Sequence, residues 1–146
     1  VKQYYWDDAI DTITVKATNP AVQGAPPELE VPFVFNWKDQ MVYAIGFDYR
    51  ASDRWTIRWG YNHGENPVPD ETMNPLFPAT IEDHVTFGLG YLTGNMVWDF
   101  AIERAFEADV TNNNTNPMVN PFGPGSNVKH EQWTVAIGVS WALDRK

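Results

Sequence analysis

The stretch from residue 41 to residue 62 decides the fold, and it reads MVYAIGFDYRASDRWTIRWGYN. Over 41–50 and again over 55–62, every second residue is large and apolar, and most of the residues between them are small or charged. Because successive side chains of a β-strand point to opposite faces, this period of two predicts two strands, each with one apolar face. The intervening residues 51–54 contain Ser and Asp, which favour a tight turn, so the stretch predicts an antiparallel hairpin.

The same alternation recurs outside this hairpin, over 85–92, 96–103 and 133–143. A first strand is also predicted near the beginning of the chain, although its phase slips, because Ile10 is out of step with Ile13 and Val15. The sequence therefore predicts an all-β protein, an antiparallel up-and-down meander of about six strands. The predicted strands lie near 1–17, 39–51, 54–63, 84–93, 95–107 and 130–143.

The predicted connections alternate between short and long. Residues 51–54 and 93–95 form short turns, whereas residues 19–38, 64–83 and 109–130 form long loops rich in Pro, Asn and Gly. Outer-membrane barrels have tight turns on the periplasmic side and long loops on the outer side. The layout predicts that residues 1–146 are the C-terminal segment of a transmembrane β-barrel. Since such barrels begin at about eight strands, the remaining strands must come from missing N-terminal sequence or from another chain.

Composition excludes several classes of function. Lys and Arg number 10 against 19 Asp and Glu, and the net charge of -9 would repel a phosphate backbone, which excludes nucleic acid as a partner. The absence of Cys excludes disulfides and thiolate metal sites. No run approaches the roughly 18 apolar residues of a spanning helix, but a barrel strand exposes only alternate residues to lipid. The chain starts in mid-strand without an initiator Met, and we interpret it as a mature or truncated product.

The apolar stripes have two possible surroundings. In a soluble β-sandwich or lipocalin-like barrel, acting as a structural or ligand-binding module, they would form the core. Two features favour lipid: the opposite face is mostly Gly, Ala, Thr and Ser, and aromatic residues recur near both ends of the stripes, as in interfacial girdles. The predicted lipid-facing and girdle residues are Tyr43, Phe47, Tyr49, Trp55, Trp59, Tyr61, Phe87, Tyr91, Trp98, Trp133 and Trp141.

Five charged residues occupy positions on the small-residue face and would point into the lumen of such a barrel. They are Asp48, Arg50, Arg58, Asp99 and Glu103. These side chains would either pair across strands and fill the interior, or one arginine would hold a substrate carboxylate. Arg58 is the preferred candidate on the substrate path.

The sequence predicts no catalytic residue, no metal site and no cofactor. The histidines lie at strand ends or in loops and match no metal-ligand or hydrolytic spacing; they are His63, His84 and His130. A barrel-embedded lipase is the rival in the enzyme class. It would need Ser52, Ser126 or Ser140 within hydrogen-bond reach of a histidine.

The long loops carry most of the excess acid. Their carboxylates would either bridge to lipopolysaccharide phosphates through divalent cations or form an ordinary solvated surface. Outer-membrane lipid and lipopolysaccharide are therefore predicted partners. The run Asn112–Thr115 is interpreted as a flexible loop.

Several short motifs follow one another in a recognisable order. They are Asn-Trp-Lys-Asp at 36–39, Ser-Asp-Arg-Trp at 52–55, Trp-Gly-Tyr at 59–61 and Asn-Pro-Val-Pro-Asp at 66–70. Over about 37–143 the chain resembles the long-chain fatty-acid transporter family, the FadL-type outer-membrane proteins, which include importers of toluene and other hydrocarbons. The resemblance implies a barrel of roughly fourteen strands in a Gram-negative outer membrane. It also implies an N-terminal hatch and the passage of hydrophobic small molecules toward a lateral opening in the wall.

The chain departs from the family pattern in two places. The family closes on a terminal aromatic residue, whereas here Trp141 is followed by five further residues ending at Lys146. The hatch and the kinked strand that make the family's path have no counterpart in these residues, so the chain is expected to be only the last part of the barrel.

Overall fold

The computed structural model describes residues 1–18, 24 and 26–142, and within them the chain is almost entirely β-structure. It contains the strands β1 (Lys2–Tyr4), β2 (Thr12–Thr18), β3 (Glu28–Val34), β4 (Gln40–Arg50), β5 (Trp55–Gly64), β6 (Asp83–Thr93), β7 (Met96–Asn112) and β8 (Ser126–Trp141). A single-turn 3-10 helix, Asp70–Thr72, interrupts the connection between β5 and β6. None of the helical structure in these ranges is long and apolar enough to cross a membrane.

Six strands form one antiparallel sheet in the order β1-β4-β5-β6-β7-β8. From β4 to β8 each strand pairs with the next one along the chain, which confirms the predicted up-and-down meander. β1 pairs with β4 only from Lys2, opposite Val42, to Tyr4, opposite Gln40. The other edge of the sheet is β8.

The beginning of the chain differs from the single strand predicted over 1–17. β1 ends at Tyr4, and a turn follows in which the amides of Ala9 and Ile10 donate to the Trp6 carbonyl at 3.0 and 2.7 Å. β2 then pairs with β3 in a separate two-stranded sheet, where Ile13 lies opposite Phe33. The phase slip at Ile10 marks this break, and part of the predicted loop 19–38 is strand β3.

The last two strands are longer than predicted. β7 and β8 remain paired as far as Asn112 opposite Ser126, beyond the predicted ends at 107 and 130. The register shifts between Ala105 and Ala108, so a β-bulge separates this extension from the rest of the sheet. Bulges bend a strand pair and increase its twist, so the extension forms a two-stranded ribbon with its own direction.

The two connections at the opposite end of the sheet are tight turns. Thr93 pairs with Met96, and Gly94 between them has a φ of 60°, a left-handed conformation that glycine adopts without steric cost. In the other turn the Ser52 hydroxyl accepts hydrogen bonds from the amides of Arg54 and Trp55, at 3.3 and 3.1 Å. Both turns bring the next strand back beside the previous one.

Among the described residues, the buried hydrophobic side chains lie in the long connections, apart from Ala105 of β7. Phe35, Val68 and Met73 are at most 4% exposed, while large side chains of the sheet are exposed. We call residues 35–38, 65–82 and 112–126 the loop cap. The Lys38 amide donates to the Pro67 carbonyl at 2.8 Å, and the Thr72 hydroxyl donates to the Phe35 carbonyl at 2.5 Å. The cap therefore joins segments from three separate connections.

Asparagines organise the third segment of the cap. The side-chain oxygens of Asn112, Asn114 and Asn116 each accept a hydrogen bond from the amide two residues later, at 2.9–3.0 Å. Such Asx turns fix an otherwise irregular backbone. Asn112 is fully buried, and its amide donates to the Met73 carbonyl at 3.0 Å. Asn112 is thus the last residue of β7, and residues 113–115 lie in the connection that follows it.

Candidate functional site

Strands β4 to β8 have two chemically different faces. The pairing places Phe47, Trp59, Phe87 and Ile102 side by side on one face, and Gly46, Gly60, Thr86 and Glu103 side by side on the other. We call these the aromatic face and the small-residue face. Each face continues along every strand, because side chains alternate along β-structure.

All eleven predicted lipid-facing residues lie on the aromatic face, by their cross-strand pairing. Ten of them are exposed, and Tyr91 is half-buried. Phe47 stacks on Trp59 with ring centroids 5.8 Å apart, and Trp55 lies against Tyr91 at 4.5 Å. Within the described ranges, β4 to β8 contact the neighbouring strands and the 3-10 turn, and no second layer covers these rings.

Aromatic rings mark the two ends of this apolar band. Trp55, Tyr91 and Trp141 lie near the tight turns, whereas Trp133 lies toward the loop cap. On β8 the band runs from Trp133 to Trp141, which is about 26 Å of strand at roughly 3.3 Å per residue. This matches the band of about 25 Å that crosses an outer membrane.

Charged side chains begin where the band ends. The Arg104 guanidinium lies 4.9 Å from the centroid of the Trp133 ring and forms an ion pair with Glu131. On the ribbon beyond the bulge, the Lys129 ammonium lies 2.8 Å from an Asp109 carboxylate oxygen. The hydrogen bonds from Lys129 and then Asn127 lower the pKa of Asp109, and the Asp109 carboxylate raises the pKa of Lys129.

The small-residue face carries a three-residue ion cluster. The Arg58 Nε donates to Asp48 Oδ2 at 2.9 Å, and its Nη1 donates to Asp99 Oδ1 at 2.7 Å. Asp48 is directly opposite Arg58 on β4, but Asp99 is on β7, two strands away. We call Asp48, Arg58 and Asp99 the ion bracket.

Two glycines of β6 let Arg58 reach β7. Gly88 lies opposite Arg58, and Gly90 lies opposite Asp99. A Cβ atom on Gly90 would stand 3.1 Å from Asp99 Oδ1 and 3.2 Å from Arg58 Nη1. A Cβ atom on Gly88 would stand 3.3 Å from Arg58 Cβ. A residue larger than glycine at position 88 or 90 would therefore place its side chain in the space that the bracket occupies.

A concave space of about 590 Å³ opens on the small-residue face beside the bracket. Its lining contains the small residues Gly46, Gly60, Thr86, Gly88 and Ala101, the charged residues Asp48, Arg58 and Asp99, and the strand positions Phe47, Trp59 and Phe100, which belong to the aromatic face. The polar side chains of this lining are those of the bracket and Thr86.

The other two predicted lumen residues lie apart from the bracket. A Glu103 carboxylate oxygen lies 3.6 Å from His84 Nδ1, and its second oxygen accepts a hydrogen bond from the Thr86 hydroxyl at 3.4 Å. Arg50 lies opposite Thr56 at the tight-turn end and makes no ion pair within the described part of the chain. The structure thus brings together three of the five predicted residues.

The remaining histidines and serines have structural surroundings. His63 Nδ1 lies 2.9 Å from Asp83 on the aromatic face, and His130 Nδ1 lies 3.2 Å from the Pro78 carbonyl. The Ser126 hydroxyl lies within hydrogen-bond distance of Asn120, and Ser52 caps its turn. Across residues 1–18, 24 and 26–142, no three His, Asp or Glu side chains are grouped so that they could hold a metal ion.

Sequence and structure comparisons identify similar proteins. A family described as outer membrane protein transport protein (OMPP1/FadL/TodX) matches residues 27–144. The toluene transporter TodX of Pseudomonas putida is 26% identical, with a TM-score of 0.56 over 74% of this chain and 24% of that one. A FadL homologue of Pseudomonas aeruginosa is 23% identical, with a TM-score of 0.52 over 75% and 24%. The chain therefore spans 24% of the length of these structures. No curated protein sequence matches it.

Proposed function

We propose that this chain helps to pass hydrophobic small molecules across the outer membrane of a Gram-negative bacterium, because it belongs to the outer membrane protein transport family (OMPP1/FadL/TodX). The molecules are long-chain fatty acids or hydrocarbons. Strands β4 to β8 form part of the barrel wall, and the small-residue face borders the path. The proposal involves no covalent chemistry.

The observation that carries the proposal is the single-layer sheet with an uncovered aromatic face. Ile45, Phe47 and Ile137 are 54%, 58% and 75% exposed. In water an apolar surface of this extent would be unstable, whereas in a bilayer it contacts acyl chains. A soluble sandwich would need a second layer on these side chains, so the arrangement favours the membrane.

The substrate path is proposed to follow the small-residue face. The concave space lies beside Asp48, Arg58 and Asp99, with Glu103 toward the cap and Arg50 toward the tight turns. An interior with isolated charges on a wall of Gly, Ala and Thr is typical of outer-membrane barrels. In the alternative, the charged residues only fill and stiffen the interior. Transport measurements on variants of these residues distinguish the two hypotheses.

The wall needs further strands to close. From Tyr43 to Arg50 the outer edge of β4 has no partner among the described residues, and neither does the outer edge of β8. Unpaired backbone groups are costly in lipid, so both edges require pairing. We propose that the missing strands come from the rest of the same protein or from another chain.

Lipid and lipopolysaccharide are the proposed surroundings of the aromatic face. The Arg104–Glu131 pair and the Lys129–Asp109 pair lie at the cap end of the band, where lipid headgroups would be. Charged groups beside a Trp ring suit this boundary, because the ring is apolar and the headgroups are wet.

The first test is the behaviour of the native protein in its source membrane. We expect it to partition with the outer-membrane detergent extract and to migrate differently on a gel before and after heating, because a closed barrel resists detergent unfolding. Cells that have the protein should take up a labelled hydrocarbon or fatty acid faster than cells that lack it. A protein that stays in the aqueous fraction without detergent would overturn the proposal.

A further inference from the structure

We infer that the ion bracket makes the path selective for uncharged hydrophobic molecules and hinders molecules that carry a carboxylate. This inference rests on the proposed function and narrows its substrate class. It is carried by the geometry of Asp48, Arg58 and Asp99 and by the shape of the space beside them.

Two acidic side chains lie beside the Arg58 guanidinium and each accepts one of its hydrogen bonds. Its Nε is 2.9 Å from Asp48, and its Nη1 is 2.7 Å from Asp99. One positive and two negative groups give the bracket a formal charge of -1. A substrate carboxylate could bind only the remaining guanidinium hydrogens, where it would lie close to both aspartates, and like charges at this distance repel.

The glycines of β6 make room for the bracket. Because Gly88 and Gly90 have no side chains, the Arg58 side chain can cross β6 and reach Asp99 on β7. The bracket thus spans β4 to β7, and its charge lies beside the space.

The rest of the space suits an uncharged molecule. Gly46, Gly60 and Ala101 present no polar side-chain atoms to it. An apolar ligand needs no hydrogen-bond partner there, whereas a buried carboxylate without a partner is costly. Arg50 and Arg54 line a neighbouring space with Arg58 at the tight-turn end, and neither borders the space beside the bracket.

The test compares two probes of equal chain length, dodecanol and dodecanoate, at pH 7. Uptake is measured in outer-membrane vesicles that retain lipopolysaccharide, with the native protein and without it. We expect the protein-dependent uptake of the alcohol to exceed that of the carboxylate about tenfold. Equal uptake of both probes would overturn the inference and leave the proposed function intact; no protein-dependent uptake of either would overturn both.

Substitutions then change the bracket charge in steps. Asp99→Asn brings it to 0, and Asp48→Asn with Asp99→Asn brings it to +1. The ratio of carboxylate to alcohol uptake should rise with each step, by about tenfold in total. Heat-dependent gel migration shows whether each barrel has folded; if the double variant does not fold, each single variant is compared with the native protein.

The matched control removes the same charge elsewhere. Asp70 and Glu71 lie in the loop cap, and both are exposed. The variant with Asp70→Asn and Glu71→Gln should keep the native ratio. If it shifts the ratio as much as the bracket variants do, net charge and not the bracket sets the selectivity, and the inference fails.

Discussion

Gly88 and Gly46 both lie on the small-residue face, but their surroundings differ. A Cβ atom at Gly88 would stand 3.3 Å from Arg58 Cβ and 3.6 Å from the Phe100 carbonyl, whereas at Gly46 the nearest atom is 3.8 Å away. Gly88→Ala should therefore destabilise the barrel by about 1 kcal/mol, because Arg58 Cβ cannot move without its strand. The temperature at which the folded gel band disappears measures this. Gly46→Ala is the control, and an equal effect of both would contradict the explanation.

Asn112 links the ribbon to the rest of the loop cap through the Met73 carbonyl. Asn112→Ala would leave that buried carbonyl unpaired, at a cost of about 1–3 kcal/mol. We expect faster protease cleavage within residues 113–125 in intact membranes. Asn113 is exposed, so Asn113→Ala should keep the native cleavage rate. Cleavage that is unchanged in Asn112→Ala would show that the asparagine turns do not hold the cap.

Asp109 should make the ribbon sensitive to acid. Its pKa is lowered, first by Lys129 and then by Asn127, so the folded ribbon binds a proton less readily than the unfolded one. Its stabilising contribution is present above the ordinary carboxylate pKa and is lost as pH falls through the lowered value. Protease resistance of residues 113–125 should be constant from pH 7 to about 5 and fall only in stronger acid. Asp109→Asn should lower the resistance already at pH 7; a native-like profile would contradict this.

At the scale of elements, alternation was sufficient to predict β4 to β6 and the two faces, because each side chain of a strand has one of only two directions. Alternation could not show that β2 pairs with β3, because Pro32 and the loop-like residues that precede Pro32 obscure the period of two. The position of Arg58 on its face was predicted. Its contact with Asp99 was not, because that contact depends on the register of two strand pairs, β5–β6 and β6–β7, and on Gly90.

The direction of each face can be tested on neighbouring residues of β4. Ile45 lies on the aromatic face and Ala44 on the small-residue face. Ile45→Arg should cost about 2–4 kcal/mol, since it places a charge in the middle of the bilayer. Ala44→Arg should cost less, because the charge enters a polar interior. Unfolding by denaturant in lipid vesicles measures both. A larger cost for Ala44→Arg would reverse the assignment of the faces.

For the whole molecule, family membership confirms the resemblance seen in the sequence and the location in the outer membrane. What this chain adds to a barrel is limited by β8 and by β4 beyond Val42, whose outer sides have no partner strand among the described residues. Residues 1–146 produced alone should show the same gel migration before and after heating, because five long strands are fewer than the roughly eight that close a barrel. A heat-sensitive band would instead show that several copies close a barrel together, which chemical cross-linking would detect.

The position of the buried core has a consequence for the order of assembly. Phe35, Met73 and Asn112 come from three connections that are far apart in sequence, and the Asn112–Met73 contact joins the two connections that flank the paired strands β6 and β7. Contacts between distant residues form late, because their loop-closure entropy is lost before they stabilise anything. The cap should therefore form last, after the strands have entered the membrane as hairpins. Once formed, the cap would oppose the withdrawal of these strands from the membrane.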